Sequence, residues 1–279
     1  MARIYYRNKG GIGNQLFIYF FAKALSLKFG KKIFVDNITG FRKDYYSRKP
    51  LVNSVISDSV PDASFFIHFL FRIYRFIPEW FFFVFGVKVI SEKISREFIC
   101  LNDNSIFKNR VIIVDGYFQS YVYFEEFKFD ISKSAFIDFN VIDDYQPFYD
   151  LITNSNSVSI HVRRYQYDNL LDLNYYNRAI NVVNEKFEFV KYFLFTDDIE
   201  WCKLNLNNSS FIFIDVINPN EIQELYLMSL CNHSIIANSS FSWWGAYLGN
   251  SSSSKIVIAP KKTDIGVLGL LYPDNWLTI

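Results

Sequence analysis

The residues best suited to chemistry in this chain are polar groups that directly follow short apolar runs. His161-Val162-Arg163-Arg164 closes a run that reads as a strand over 158–162, and Thr196-Asp197-Asp198 closes another over 192–195. Asp215 follows a third over 211–214, and Asn238-Ser239-Ser240 a fourth over 234–237. Adjacent arginines at a strand end suit a diphosphate, because a guanidinium meets phosphate oxygens two at a time and never loses its charge. The carboxylates of Asp197 and Asp198 can accept hydrogen bonds from ribose hydroxyls or from a guanine edge. Asn238-Ser239-Ser240 opens a helix, whose start presents unpaired N–H groups and the positive end of the dipole to an anion. Each feature also has a plainer reading: paired arginines on a solvated face, Asp-Asp as a cap, serine as an N-cap. Their joint placement at strand ends argues for a nucleotide-diphosphate site. Trp243 and Trp244, one turn into the helix, read as walls of such a pocket.

The elements that must position these groups alternate regularly. After Ser157 the strands above are separated by helical patterns over 174–187, 199–203 and 220–230, and a last strand follows at 256–259. That order implies a mostly parallel sheet covered on both faces, with ligands beyond the carboxyl ends of the strands. The first 36 residues form a βαβ unit: a strand at 4–7, the loop Lys9-Gly10-Gly11-Ile12-Gly13, a helix over 14–29 ended by Gly30, and a strand at 33–36. Gly11-x-Gly13 with Asp36 resembles a dinucleotide fingerprint, but Leu16 stands where its third glycine belongs. A buried strand over 111–115 ends in a Gly116 turn, and 121–129 reads as a helix rich in aromatic and acidic residues. The polar stretch from Asp143 to Ser157, with Pro147, marks a boundary between domains 1–153 and 154–279.

With 279 residues, half of them apolar, the chain can build two cores. A net charge of +1 removes the case for binding nucleic acid along an extended surface. The three cysteines, Cys100, Cys202 and Cys231, lack any C-x-x-C spacing, which argues against a disulfide framework or zinc ribbon and fits a reducing cytosol. The first residues carry no apolar export segment, so a cytoplasmic protein is expected. Residues 65–90, centred on Phe81-Phe82-Phe83, are strongly apolar, yet Arg72, Arg75, Pro78, Glu79 and Lys88 leave no uncharged run near the ~18 residues of a membrane span. Two readings follow: a core helix pair broken at Pro78, or a surface dipping into the membrane interface from the cytoplasmic side. The basic stretch 37–60 reads as a solvated loop or an acceptor contact.

Several of these motifs together resemble a family. Gly10-Gly11-Ile12-Gly13-Asn14-Gln15-Leu16-Phe17, His161-Val162-Arg163-Arg164, Tyr175-Tyr176-x-x-Ala179-Ile180, Phe195-Thr196-Asp197-Asp198 and Asn238-Ser239-Ser240-Phe241-Ser242-Trp243-Trp244-Gly245-Ala246 are similar, in order, to the motifs of the α-1,2-fucosyltransferases of glycosyltransferase family 11. The resemblance implies an α/β protein of the GT-B type, two Rossmann-like domains with mostly parallel sheets facing across a cleft. It implies an inverting transfer of L-fucose from GDP-L-fucose to the 2-hydroxyl of a β-galactoside, with no metal or other cofactor. By the same resemblance, the acceptor is a glycan, lipid-linked in surface polysaccharide or O-antigen synthesis. Arg163 and Arg164 inherit donor-diphosphate binding and catalysis, Asp197 and Asp198 face the guanosine, and Ser239 and Ser240 face the phosphates. Gly11, Gly13, Asn14, His161 and Asn238 complete the implied donor set. The family pattern His-x-Arg-Arg-x-Asp is broken here, since Gln166 holds the acid position and Tyr165 replaces a glycine, so Asp168 becomes the candidate acid.

Metal independence also has a bottom-up basis, for the chain contains no Asp-x-Asp and only three scattered histidines. Charge on the departing GDP must then be met by fixed cations and helix dipoles. Deprotonation of the acceptor calls for a carboxylate or histidine, for which Asp168 and Asp172 are candidates. A GT-B transferase with another nucleotide-sugar donor, and a non-catalytic membrane-associated glycan-binding protein, are the competing readings. Oligomeric state is not legible from the sequence.

Overall fold

A computed structural model describes residues 3–92, 109–165, 170–206, 208–249, 252, 254–263, 265–266 and 270–279. The chain divides into two compact units, 1–134 with 266–271 and 135–265 with 272–279.

The first unit is built on a four-stranded parallel sheet in the order β2-β1-β4-β3. Its strands are β1 (Arg3–Arg7), β2 (Lys32–Asp36), β3 (Val87–Ser91) and β4 (Val111–Asp115). Between β1 and β2 runs α1 (Ile12–Phe29), entered through Gly10 at φ 78° and closed by Gly30 at φ 61°, both in the left-handed region that glycine tolerates. The expected single apolar stripe on α1 is wider in fact: nearly every side chain from Ile12 to Leu25 is buried, as an almost uncharged helix requires. Leu16, in the place of the third fingerprint glycine, is fully buried in this core.

Residues 65–90 do begin as two helices, α2 (Phe65–Ile73) and α3 (Glu79–Val84), parted at Pro78. The stretch does not end as a helix. Gly86 turns the chain at φ 63° into β3, whose β-branched residues pair with β4 from Val87 to Ser91. Ile67, Leu70, Phe71, Tyr74 and Phe82 pack over Tyr5 and Ile113 of the sheet, so one face of the pair is core. No described helix is long and apolar enough to cross a membrane. The helix expected over 121–129 is instead two 3-10 turns leading into α4 (Lys128–Ser134).

The boundary read at 153 falls at 134 in the structure. The polar segment there contains α5 (Gln146–Thr153), whose Ile152 joins Tyr145, Phe193, Phe195 and Leu227 in a core cluster of the second unit. Its polarity belongs to the helix's outer face and to the turn at Asn154.

The second unit carries a six-stranded parallel sheet in the order β10-β9-β8-β5-β6-β7. The strands are β5 (Asn156–Val162), β6 (Val190–Thr196), β7 (Phe211–Phe213), β8 (His233–Ile235), β9 (Val257–Ala259) and β10 (Leu277–Thr278). The helices are α6 (Leu173–Asn184), α7 (Ile199–Asn205), α8 (Glu221–Leu230) and α9 (Ser240–Tyr247). β6 shows why its sequence is apolar at successive positions: Tyr192 and Leu194 enter one core cluster, Phe193 and Phe195 the other, because both sheet faces are covered. The chain winds outward from β5 through β6 to β7 and then returns to the other side of β5 with β8. The winding therefore reverses between β5 and β8, where open α/β sheets bind ligands.

Candidate functional site

The carboxyl ends of β5 and β8 carry most of the residues singled out by sequence. Their parallel pairing, Val158 with His233 and Ile160 with Ile235, brings His161-Arg163-Arg164 and Asn238-Ser239-Ser240 out on neighbouring strands. The His161 ring lies 5.5 Å from that of Phe241, joining the first loop to the start of α9. Two tyrosines of α6 hold these ends: Tyr175 donates to the Ile236 carbonyl at 2.6 Å and Tyr176 to the His161 carbonyl at 3.4 Å. Burial drives both phenols well above their ordinary pKa, which keeps them neutral donors.

Asp197 and Asp198 do something other than wait for a nucleoside. Asp197 accepts the backbone N–H of Arg164 at 2.8 Å and of Tyr165 at 3.1 Å, and its Oδ2 lies 3.1 Å from Arg163 Nε. Both of its oxygens are thus engaged in shaping the arginine loop. Asp198 is the N-cap of α7, accepting the N–H of Trp201 at 3.1 Å. Asp197 takes this scaffold role because β6 is the immediate neighbour of β5 and its strand-end carboxylate lies beside the arginine loop's amides. Asp172, a candidate base, is likewise a cap, on α6, accepting from Tyr175 N at 2.9 Å. Asp168 and Gln166 lie outside the described residues.

The two arginines differ. Arg163 is tied to Asp197. Arg164 makes no ion pair among the described residues: its guanidinium carbon sits 4.2 Å over the Trp201 ring, and its Nε is buried without a hydrogen-bond acceptor. A cation stacked on an aromatic face and left without a carboxylate can receive an anion without first giving up another. Trp201 was not singled out by the sequence reading; the signal was there in its position three residues past a capping aspartate.

His161 is buried, and desolvation, with Arg163 nearby, depresses its pKa to about 3. It is neutral at any ordinary pH, with Nδ1 buried and lacking a partner. Across from it, Ser239 caps α9 through Phe241 N at 3.3 Å, while Ser242 folds back on Ala237 N at 3.2 Å. Asn238 Oδ1 accepts from the Thr263 hydroxyl. Ser240 stands beside them at the first turn of α9, 8% exposed.

Trp243 and Trp244 are not pocket walls. Both are fully buried, Trp243 stacked on Tyr247 with ring centroids 4.6 Å apart. Gly245 next to them lets α9 approach α8, since a Cβ there would meet Met228 Cβ at 2.9 Å. Two large rings in a helix start are apolar volume first, and here the core beneath the site takes them.

Gly11, Gly13 and Asn14 belong to the other unit. Gly11 is the N-cap of α1 and makes no side-chain cap; Asn14 Oδ1 accepts from Gln119 Nε2 at 2.7 Å. The loop is locked by Gln15, whose amide donates to the carbonyls of Gly10 and Lys49 at 2.8 Å each and accepts from Leu51 N at 2.8 Å. Asp36, weighed against a ribose, is fully buried and accepts from Ile38 N, Thr39 N and His68 Nδ1. The first unit also assembles a group not anticipated from sequence. Asp115, at the end of β4, meets Lys9 at 2.7 Å, Arg7 at 3.0 Å, Arg75 at 3.3 Å and the Tyr74 hydroxyl at 2.7 Å.

Solved structures share this architecture. The fucosyltransferase NodZ from Bradyrhizobium matches with a TM-score of 0.57 over 89% of this chain and 94% of that one, at 16% identity. FUT1 of Arabidopsis thaliana in complex with GDP matches with a TM-score of 0.53 over 89% and 69%, at 12% identity. Two parallel sheets with these counterparts define a GT-B glycosyltransferase fold.

Within that class the chain belongs to glycosyl transferase family 11, which matches residues 103–270. It is 32% identical over 282 residues to an alpha-1,2-colitosyltransferase from Escherichia coli, covering 93% of this chain and 92% of the relative. It is also 32% identical over 140 residues, 45% of each chain, to the O-antigen biosynthesis glycosyltransferase WbnK of Escherichia coli.

Proposed function

We propose that the protein is an inverting, metal-independent α-1,2-fucosyltransferase that moves L-fucose from GDP-L-fucose to the 2-hydroxyl of a β-galactoside in a surface polysaccharide. The observation that carries this reading is Arg164, stacked on Trp201 and unpaired with any described carboxylate, at the strand end beside the start of α9. As the sugar leaves, negative charge grows on the diphosphate, and a fixed guanidinium at the end of β5, the strand next to the one that leads into Ser239, Ser240 and α9, stabilises that charge more than it stabilises the bound donor. Arg163, shared with Asp197, contributes field and holds the loop. Neutral His161 offers a hydrogen bond but no charge. Deprotonation of the acceptor is assigned to Asp168, since Asp172, Asp197 and Asp198 already accept backbone N–H groups. The acceptor is assigned to the first unit.

A second donor has support of its own in the colitosyltransferase that is 32% identical along nearly the whole chain. Colitose is fucose without its 3-hydroxyl, so the two readings share the diphosphate site and differ in one hydrogen bond. A site built to bond that hydroxyl rejects the deoxy sugar strongly, whereas an apolar one barely distinguishes them.

The test is radiolabel transfer from GDP-fucose and from GDP-colitose, in parallel, to a panel of simple β-galactosides in excess EDTA. Transfer of fucose with a faster kcat/KM than colitose is expected. Faster transfer of colitose hands the reading to the second donor, and activity that returns only on adding Mn²⁺ or Mg²⁺ ends the metal-independent one.

A further inference from the structure

The helix pair within residues 65–90 buries one apolar face and leaves the other exposed. On α2, Ile67, Leu70 and Phe71 face the sheet, while Phe65, Phe66 and Phe69 face outward, the first of them 84% exposed. On the turn and α3, Phe82 is core while Phe76 and Trp80 stand 86% and 67% exposed. The inward faces meet in one cluster over Tyr5 and Ile113, so the outward rings all project from one layer of the first unit. Hydration of so many large rings at one place is costly for a soluble monomer, and surfaces of this kind are normally covered.

The charges on this layer say by what. Over α2, α3 and the turn joining them the chain holds Arg72 and Arg75 against the single acid Glu79, whereas Lys88, between the inward-packed Val87 and Val89 of β3, faces the other side of the sheet. Arg72 is exposed, and Arg75 is 66% exposed even though one of its nitrogens reaches Asp115. Aromatic rings with a tryptophan, flanked by exposed arginines, match the boundary between lipid tails and anionic headgroups. A second copy of the same face would bring like charges together. The helices are too short to cross a bilayer, so the contact is with its surface.

We propose that α2, α3 and the turn joining them form a membrane-docking surface for anionic lipid headgroups, with Phe65, Phe66, Phe76 and Trp80 entering the acyl boundary. This surface rests on the geometry of the first unit alone and is independent of which sugar is transferred.

Flotation of the full chain with vesicles of phosphatidylglycerol and phosphatidylethanolamine, against vesicles of phosphatidylcholine, tests it. Partition onto the anionic vesicles should be at least about tenfold higher and should fall with added salt. The combined substitutions Phe65→Ser, Phe66→Ser and Trp80→Ser should abolish it without lowering the unfolding midpoint, while Phe189→Ser, on an equally exposed ring of the second unit, should leave it intact. Arg72→Glu should weaken the preference for anionic lipid, while Lys88→Glu, on the other face of the sheet, should leave it unchanged. Equal recovery with and without vesicles overturns the proposal, as does self-association that the triple substitution abolishes in a protein that never floats.

Discussion

Each unit of this protein reverses its winding once, at β1/β4 in the first and at β5/β8 in the second, and each places basic residues at the carboxyl ends of those strands. The two ends use their cations in opposite ways. At β1/β4, Arg7, Lys9 and Arg75 converge on Asp115, a carboxylate with no exposed side-chain surface, and the Arg7 guanidinium also donates to the Phe71 carbonyl. At β5/β8 Asp197 holds backbone N–H groups and one guanidinium, which leaves Arg164 on Trp201 with no carboxylate among the described residues. On the proposed reading the second keeps a cation for the incoming diphosphate, so position at a reversal point marks where a ligand can bind and the internal ion pairing decides which end receives the phosphate.

The largest expected effect lies in the first unit. Asp115→Asn leaves three cations facing a neutral amide and should cost on the order of 3 kcal/mol of stability, read as a shift in urea or thermal midpoint. Burial alone would raise the Asp115 carboxyl, but Lys9 and Arg7 outweigh it and hold its pKa below the usual carboxylate range. Its contribution is therefore fully present above about pH 4 and is lost as pH falls through the lower folded value, so wild type and variant should converge only in strong acid. GDP affinity should be unchanged in the folded variant. A variant of undiminished stability that no longer binds GDP would reverse the comparison.

Next comes Arg164→Lys, which retains charge but loses the planar contact with both phosphate and the Trp201 ring. A fall in kcat of about 10²-fold is expected with little change in the unfolding midpoint. Near-normal kcat in both Arg163→Lys and Arg164→Lys would remove the arginine loop from the chemistry. The smallest effect separates the two serines. Ser239→Ala should lose about 1 kcal/mol of stability as a missing cap and weaken GDP binding as well, whereas Ser240→Ala should weaken GDP binding by about 1 kcal/mol and leave the midpoint alone. Identical stability of the two variants would mean that Ser239 does not act as the cap.

Much of the architecture was legible because it rests on local patterns. The βαβ opening, the alternation after Ser157 and the strand-end polar groups at Arg163, Asp197 and Asn238 follow from apolar periodicity and from glycine and capping residues, which act over a few positions. β3 was less legible, since Val87–Ser91 follows directly on the aromatic helix α3 and is set apart only where Gly86 turns the chain and β4 pairs with it. The tryptophan pair misled because a sequence does not state which side of a helix start faces the core. The Asp115 group was hidden for another reason: Arg7, Arg75 and Asp115 are as many as 108 positions apart and meet only because β1 and β4 are neighbours.

By itself, then, the sequence determined that parallel sheets with helices on both faces would present arginines, aspartates and serines at their carboxyl ends, since short-range patterning and strand order dictate where side chains emerge. Which of those groups are engaged was decided only by tertiary structure. Asp197 became scaffold because the pairing of β5 with β6 sets that carboxylate against the loop's own amides and carries Trp201 beneath the Arg164 guanidinium, whereas Asp198 is held by the local cap of α7. Hydrogen bonds and ion pairs saturate at contact distance, and contact between residues more than thirty positions apart is a property of the packed chain, not of its order.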